Sequence, residues 1–131
     1  MAFRLTMHHS SFPELQSVKE VTEKIQEKKL VLILFNKRYS DAHDIEHKFN
    51  SWRNIYEKNY DLHVYKCVIT PKSELKTEYK IIKGPTFIFF RHGEEIDRLE
   101  DINKVDPNES SSSENAEEKL RSWLDHCCTS N

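Results

Sequence analysis

Glycine, cysteine and long apolar runs are all scarce in this chain. Its 131 residues include 2 glycines and 3 cysteines, and no apolar run approaches the roughly 20 residues that span a bilayer. Cys67 and the adjacent pair Cys127 and Cys128 fit neither a disulfide scaffold nor a zinc knuckle. Residues 1–11 lack the continuous apolar centre of a secretory signal. We therefore expect a protein of the reducing cytoplasm or the nucleus, without membrane contact.

The chain also lacks an excess of charge of either sign. Its 20 basic and 22 acidic residues leave a formal charge of -2, spread along the sequence. Binding to a phosphate backbone depends on clustered basic residues, so direct binding to nucleic acid is not expected. The apolar content suffices for one modest core. We expect a single domain over residues 1–131, with its core within about 17–126.

Helical and strand-like patterns alternate along the chain. Ser17 and Glu20 form a capping-box pattern that opens a helix, and the apolar run 30–35 is typical of a strand buried on both faces. The predicted elements, in order, are helix 17–28, strand 30–35, a long helix ending near Asn59, strand 62–69, a short helix capped by Thr70 and begun by Pro71, strands 86–90 and 94–99, and a final helix from Ala116. The apolar face of the long helix is predicted to comprise Ile45, Phe49, Trp52, Ile55 and Tyr56.

A polar segment separates the last strand from the final helix. Residues 103–115 contain Pro107, four consecutive serines and several acids, a composition typical of a mobile loop. Ser111 has an acid three residues on and is a candidate phosphorylation site. A solvated insertion without a regulatory role explains the same composition. Cys127 and Cys128 follow in the tail, where we expect them to be exposed, whereas Cys67 is expected in the core.

The order of these elements, and the stretch Lys83-Gly84-Pro85-Thr86 that opens the hairpin, carry a resemblance to a known family. From about residue 17 to residue 125 the chain resembles the thioredoxins. The resemblance implies an α/β protein with the thioredoxin fold: a central mixed β-sheet with a parallel βαβ crossover, a C-terminal antiparallel hairpin and helices on both faces. It also implies that the bond before Pro85 is cis.

The resemblance locates a catalytic motif whose chemistry is missing. Thioredoxins carry Cys-x-x-Cys at the start of the long helix, where this chain has Ser40-Asp41-Ala42-His43. In the family the first thiol attacks as a thiolate and the second resolves the mixed disulfide. A serine hydroxyl and an imidazole do neither, and the buried acid of many thioredoxins aligns with Leu34. The resemblance therefore implies a protein that does not reduce disulfides and needs no cofactor.

The replaced motif has other interpretations. Ser40 and His43 could act as a nucleophile and its base, but catalytic triads are normally assembled from separate segments, so two residues three apart have poor geometry. Ser40 as the N-cap of the long helix is the simpler interpretation. His43 and His47 lie one helical turn apart, but a lone pair lacks the further ligands of a metal site. We expect neither a Ser-His catalyst nor a bound metal.

The resemblance also implies a peptide-binding groove. Thioredoxin-fold proteins hold extended peptides between the motif loop and the backbone beside the cis-proline. The corresponding residues here are Tyr39, Ser40, Asp41, Ala42, Gly84, Pro85 and Thr86. The sequence thus predicts a redox-inactive adaptor, assembly or chaperone-like module that binds another protein. The alternatives are a divergent thiol-redox or glutathione-linked enzyme that uses Ser40 or a cysteine outside the motif, and a structural subunit with a permanent interface.

Overall fold

The computed structural model describes residues 12–37, 43–100, 102 and 116–130, with the backbone alone at residues 43 and 44. The loop 103–115 and its candidate phosphorylation site Ser111 lie outside these residues. In chain order the elements are α1 (Val18–Glu27), β1 (Leu30–Asn36), α2 (His43–Tyr60), β2 (Leu62–Val68), α3 (Glu74–Glu78), β3 (Thr86–Arg91), β4 (Glu94–Glu100) and α4 (Ala116–Thr129). The predicted succession of helices and strands is confirmed.

The described strands form a four-stranded mixed sheet in the order β2-β1-β3-β4. Strands β1 and β2 are parallel and are joined through α2. Strand β3 is antiparallel to both β1 and β4. The mixed sheet, its parallel βαβ unit and its C-terminal hairpin match the predicted fold class.

Strand β1 is buried along its whole length and divides the core into two clusters. Leu32 and Leu34 pack with apolar residues of α2 and α4, whereas Ile33 and Phe35 pack with those of α1 and α3. Successive side chains of a strand point to opposite faces, so a strand covered on both faces must be apolar at every position. The uninterrupted apolar run in the sequence is the consequence.

Two local sequence patterns, a helix cap and a hairpin turn, form as predicted. The Ser17 hydroxyl accepts a hydrogen bond from the Glu20 N–H at 3.1 Å, which caps α1. His92 and Gly93 both have positive φ, at 52° and 83°. The type I′ turn, which is common in two-residue hairpins, requires positive φ at both central residues.

The start of α3 was predicted wrongly. Helix α3 begins at Glu74 after Ser73, not at Pro71 after Thr70. The Ser73 N–H bonds the Thr70 carbonyl at 3.0 Å, so residues 70–73 form a separate turn before the helix. A proline at position 71 fits the second position of such a turn as well as it fits a first helical turn.

Two burial predictions were also wrong. Ile55 is 45% exposed, because the buried stripe of α2 runs through the positions four or three apart at Ile45, Phe49, Trp52 and Tyr56. Cys127 and Cys128 lie inside α4 and are buried, at 1% and 8% exposure. Helix α4 packs against α2, where Tyr56 donates a hydrogen bond to Asp125 at 2.6 Å, and this holds the last turns of α4 on the core. Cys67 is fully buried, as predicted.

The core assignment leads to a stability prediction with a matched control. Ile33 in β1 is 0% exposed and Ile96 in β4 is 46% exposed. Ile33→Ala removes packed methyl groups and leaves a cavity, so we expect it to lower the free energy of unfolding by about 2–5 kcal/mol. The same change at Ile96 should cost less than about 1 kcal/mol. Urea unfolding followed by circular dichroism measures both; equal losses would contradict the burial of β1.

Candidate functional site at the strand ends

The candidate site lies where β1 ends and β3 begins. Phe35 pairs with Thr86 in the antiparallel register, and Asn36, the last residue of β1, lies against Gly84. We call the accessible residues here, Lys37, Ile82, Lys83 and Gly84, the strand-end surface. Lys37, Ile82 and Lys83 are exposed and Gly84 is half-buried.

The backbone at position 84 lies so close to the end of β1 that only glycine fits there. A Cβ atom on Gly84 would lie 2.8 Å from Asn36 Oδ1, a contact too short to exist. Asn36 is fixed: it is 1% exposed, and its Oδ1 accepts a hydrogen bond from the Lys37 N–H at 2.9 Å. Glycine therefore stands at this position because the backbone must pass against a buried amide.

Pro85 and Thr86 shape the site from beneath. The Gly84–Pro85 peptide bond is cis. Pro85 is buried, and Thr86 is fully buried with its hydroxyl donating to the Lys83 carbonyl at 2.5 Å. Their side chains therefore face the protein interior, and the accessible chemistry of this segment comes from Gly84 and the residues before it.

Ile82 is the functional candidate that sequence reasoning missed. Its side chain is 76% exposed, while its neighbour Ile81 is 2% exposed. The two adjacent isoleucines lie in a connection without helical or strand periodicity, so the sequence does not distinguish the buried one from the exposed one. Only the path of the chain into the cis-proline turn decides which of them faces solvent.

Much of the replaced motif lies outside the described residues. This applies to Tyr39, Ser40, Asp41 and Ala42, while His43 is described only as the first residue of α2. Their roles in the groove and in capping stay predictions. His47 is exposed. Among the described residues, no group of three or more His, Cys, Asp and Glu side chains is arranged to hold a metal ion.

A buried charge lies in the first turns of α2. Glu46 is 8% exposed, and its Oε2 lies 2.5 Å from Nζ of Lys66 in β2. An acid near the start of a helix complements the helix dipole. The structure also gives Glu46 a partner on the sheet.

Comparisons with known proteins bear on the fold. No protein-family model matches the sequence, and no curated protein matches it.

None of the described helices combines the length and the apolar character that a bilayer crossing requires.

Solved structures do match. A thioredoxin from Fasciola hepatica is similar with 19% identity and a TM-score of 0.66, over 88% of this chain and 98% of that one. A mutant thioredoxin from Entamoeba histolytica gives 17% identity and a TM-score of 0.65, over 88% and 98%. A mutant thioredoxin from Halobacterium salinarum gives 16% and 0.58, over 95% and 99%. At such identities the likeness concerns the three-dimensional arrangement, and we conclude that this chain has the thioredoxin fold.

Proposed function

We propose that this chain is a redox-inactive thioredoxin-fold protein that binds an extended segment of another protein at the strand-end surface, as an adaptor or an assembly or chaperone-like module. The observation that carries the proposal is Ile82, whose side chain is 76% exposed beside the half-buried Gly84. It is more exposed than Ile55 and Ile96, at 45% and 46%. A partner that covers this side chain removes its apolar surface from water, which favours binding.

The surroundings of Ile82 suit an extended peptide. Gly84 is half-buried, so part of its backbone is open to another main chain, as in recognition by strand addition. Lys83 follows Ile82 in the chain and Lys37 follows the end of β1, and both are exposed basic residues. An extended segment with an apolar side chain and nearby acids is complementary to this arrangement.

The three cysteines give little support to the alternative of an enzyme that uses a thiol outside the motif. Burial raises the pKa of Cys67 from 9.0 to about 12. Burial, followed by the negative charge of Asp97, raises the pKa of Cys127 to about 12, and burial raises that of Cys128 to about 11. Because the thiolate is the reactive form, such thiols are poor nucleophiles near neutral pH.

The other parts of the proposal follow from the sequence. Ser40 and His43 stand where a reductase needs cysteines, and no observation on the described residues favours a glutathione-linked activity at Ser40. Free buried thiols suit a reducing compartment, so we place the protein in the cytoplasm or the nucleus. The partner is a protein, with no role for nucleic acid or a membrane.

A peptide selection tests the proposed function. The probe is a phage-displayed library of random dodecapeptides, and we expect selected peptides to carry an apolar residue near Asp or Glu. Ile82→Ser removes most of the buried apolar area, worth about 1.5–3 kcal/mol, and should weaken binding of the selected peptide by at least about tenfold. Ile96→Ser is the matched control and should leave the affinity unchanged.

The two glycines give an independent readout of where the peptide binds. Protein labelled with ¹⁵N-glycine has amide resonances from Gly84 at the surface and from Gly93 in the hairpin turn. The peptide should move the Gly84 resonance and leave that of Gly93 in place. Failure to select any peptide, or a peptide that moves only Gly93, would contradict the proposal.

The buried thiols lead to a prediction about pH. Alkylation by iodoacetamide at pH 8 should be slow for all three cysteines in the native protein and fast in urea. Above pH 9 the unfolded chain ionises thiols that the folded chain keeps protonated to about pH 11 or 12, so the free energy of unfolding should fall as the pH rises. Rapid native alkylation of one cysteine, identified by mass spectrometry, would revive the thiol-dependent alternative.

A further inference from the structure

The carbonyls at the end of α3 are bound by an arginine of β4. Arg98 donates from Nη2 to the Tyr79 carbonyl at 3.0 Å and from Nη1 to the Lys80 carbonyl at 3.2 Å. Its Nε and Nη2 also donate to the two carboxylate oxygens of Glu95, at 2.7 and 2.8 Å. The final carbonyls of a helix have no partner within the helix. Arg98 therefore supplies that partner from a strand of the sheet.

A β-bulge in β4 places Glu95 where it can hold the guanidinium of Arg98. Residues three apart in a regular strand point to opposite faces of the sheet. Between Phe89 and Phe90 the register shifts by one residue of β4, and Phe90 pairs with Glu95. Arg98 pairs with Ile88, and Ile88 and Phe90 belong to the same core cluster. Glu95 and Arg98 therefore lie on one face of the sheet, the face that α3 covers.

The turn that Arg98 binds ends α3 in a left-handed conformation. The Ile81 N–H donates to the Lys76 carbonyl at 2.9 Å. The Lys80 N–H donates to the Thr77 carbonyl at 3.2 Å. These are the two hydrogen bonds of a Schellman motif, and Lys80, with φ of 54°, occupies the position where glycine is usual. Because a Cβ atom disfavours this conformation, a contact that holds the Lys80 carbonyl helps to maintain the turn.

The same turn sets the direction of the chain from α3 to Ile82. Ile81 is 2% exposed and packs in the core, whereas Ile82 is 76% exposed. The carbonyl two residues before Ile82 is bound by Arg98. The Lys83 carbonyl, one residue after Ile82, accepts a hydrogen bond from a hydroxyl at the start of β3. Ile82 therefore lies between two anchored carbonyls.

We propose that Arg98 is a positioning residue for Ile82, the apolar contact of the strand-end surface. Lysine has the same charge, but its single ammonium group lacks the planar fork that bonds two carbonyls and a carboxylate together. When the turn samples other conformations, only the molecules with Ile82 in its native position bind, so the apparent affinity falls with that fraction. The inference rests on the proposed function, but it also predicts a change that is measurable without any ligand.

The test compares Arg98→Lys with the wild type, both labelled with ¹³C in the isoleucine methyl groups. A soluble gadolinium chelate should relax the Ile82 methyl signal, identified by its absence from Ile82→Ser, far more than that of Ile81. In Arg98→Lys this ratio should fall by at least about twofold, because the turn samples other conformations. Affinity for the dodecapeptide selected by the wild type should fall by about tenfold, as when about one tenth of the molecules keep the native turn.

Two further variants accompany the test. Arg53 in α2 is a matched control, because its side chain is 16% exposed, against 22% for Arg98, and it packs with the other core cluster. Arg53→Lys should change neither the ratio nor the affinity. Glu95→Ala removes the exposed carboxylate that holds Arg98, and it should lower both values in the same direction by less. It decides the question if Arg98→Lys does not fold.

The outcomes separate this inference from the proposed function. A native value of either the relaxation ratio or the affinity in folded Arg98→Lys would overturn the inference, even if the urea midpoint falls. Equal losses in Arg53→Lys would overturn it as well, since they would show a general effect of destabilisation. If the wild-type chain selects no peptide, the proposed function fails. The relaxation ratio then still decides whether Arg98 positions Ile82.

Discussion

The complete burial of β1 is the constraint on which the rest of this structure depends. A strand with 0% exposure from Val31 to Phe35 needs a layer of helices on each face of the sheet. One core cluster covers each face. Its neighbours β2 and β3 run parallel and antiparallel to it, so β2 must be reached through a helix. Asn36, the last residue of β1, lies against Gly84, so both are at the same end of the sheet.

The strand-end surface combines a rigid base with accessible chemistry. Asn36, Pro85 and Thr86 are buried and set the path of the backbone, while Lys37, Ile82 and Lys83 are exposed. The described hydrogen bonds of Asn36 and Thr86 are made with Lys37 and Lys83, and neither involves a cysteine. In the function that we propose, Ser40 and His43 stand where a reductase needs cysteines, and the strand-end surface binds the partner.

Local signals made much of the fold predictable, and the misses share a physical origin. The cap at Ser17, the apolar run of β1 and the turn at His92-Gly93 depend on neighbours within a few residues, and each was predicted from them. The burial of Cys127 and Cys128, the exposure of Ile82 and the pairing of Glu46 with Lys66 depend on contacts between distant segments. A single sequence carries no periodicity or spacing that encodes such contacts. The place of Gly84 beside the end of β1 follows from local signals, whereas the exposure of Ile82 does not.

The central claim is that this chain binds another protein and does not reduce disulfides. An insulin-reduction assay with dithiothreitol tests the second part most directly. The wild-type chain should precipitate insulin no faster than dithiothreitol alone. The variant Ser40→Cys/His43→Cys should accelerate the reaction, because it restores an attacking and a resolving thiol at the start of α2. Acceleration by the wild type would contradict the account. An inactive but folded double variant would contradict the assignment of residues 40 and 43 to the motif.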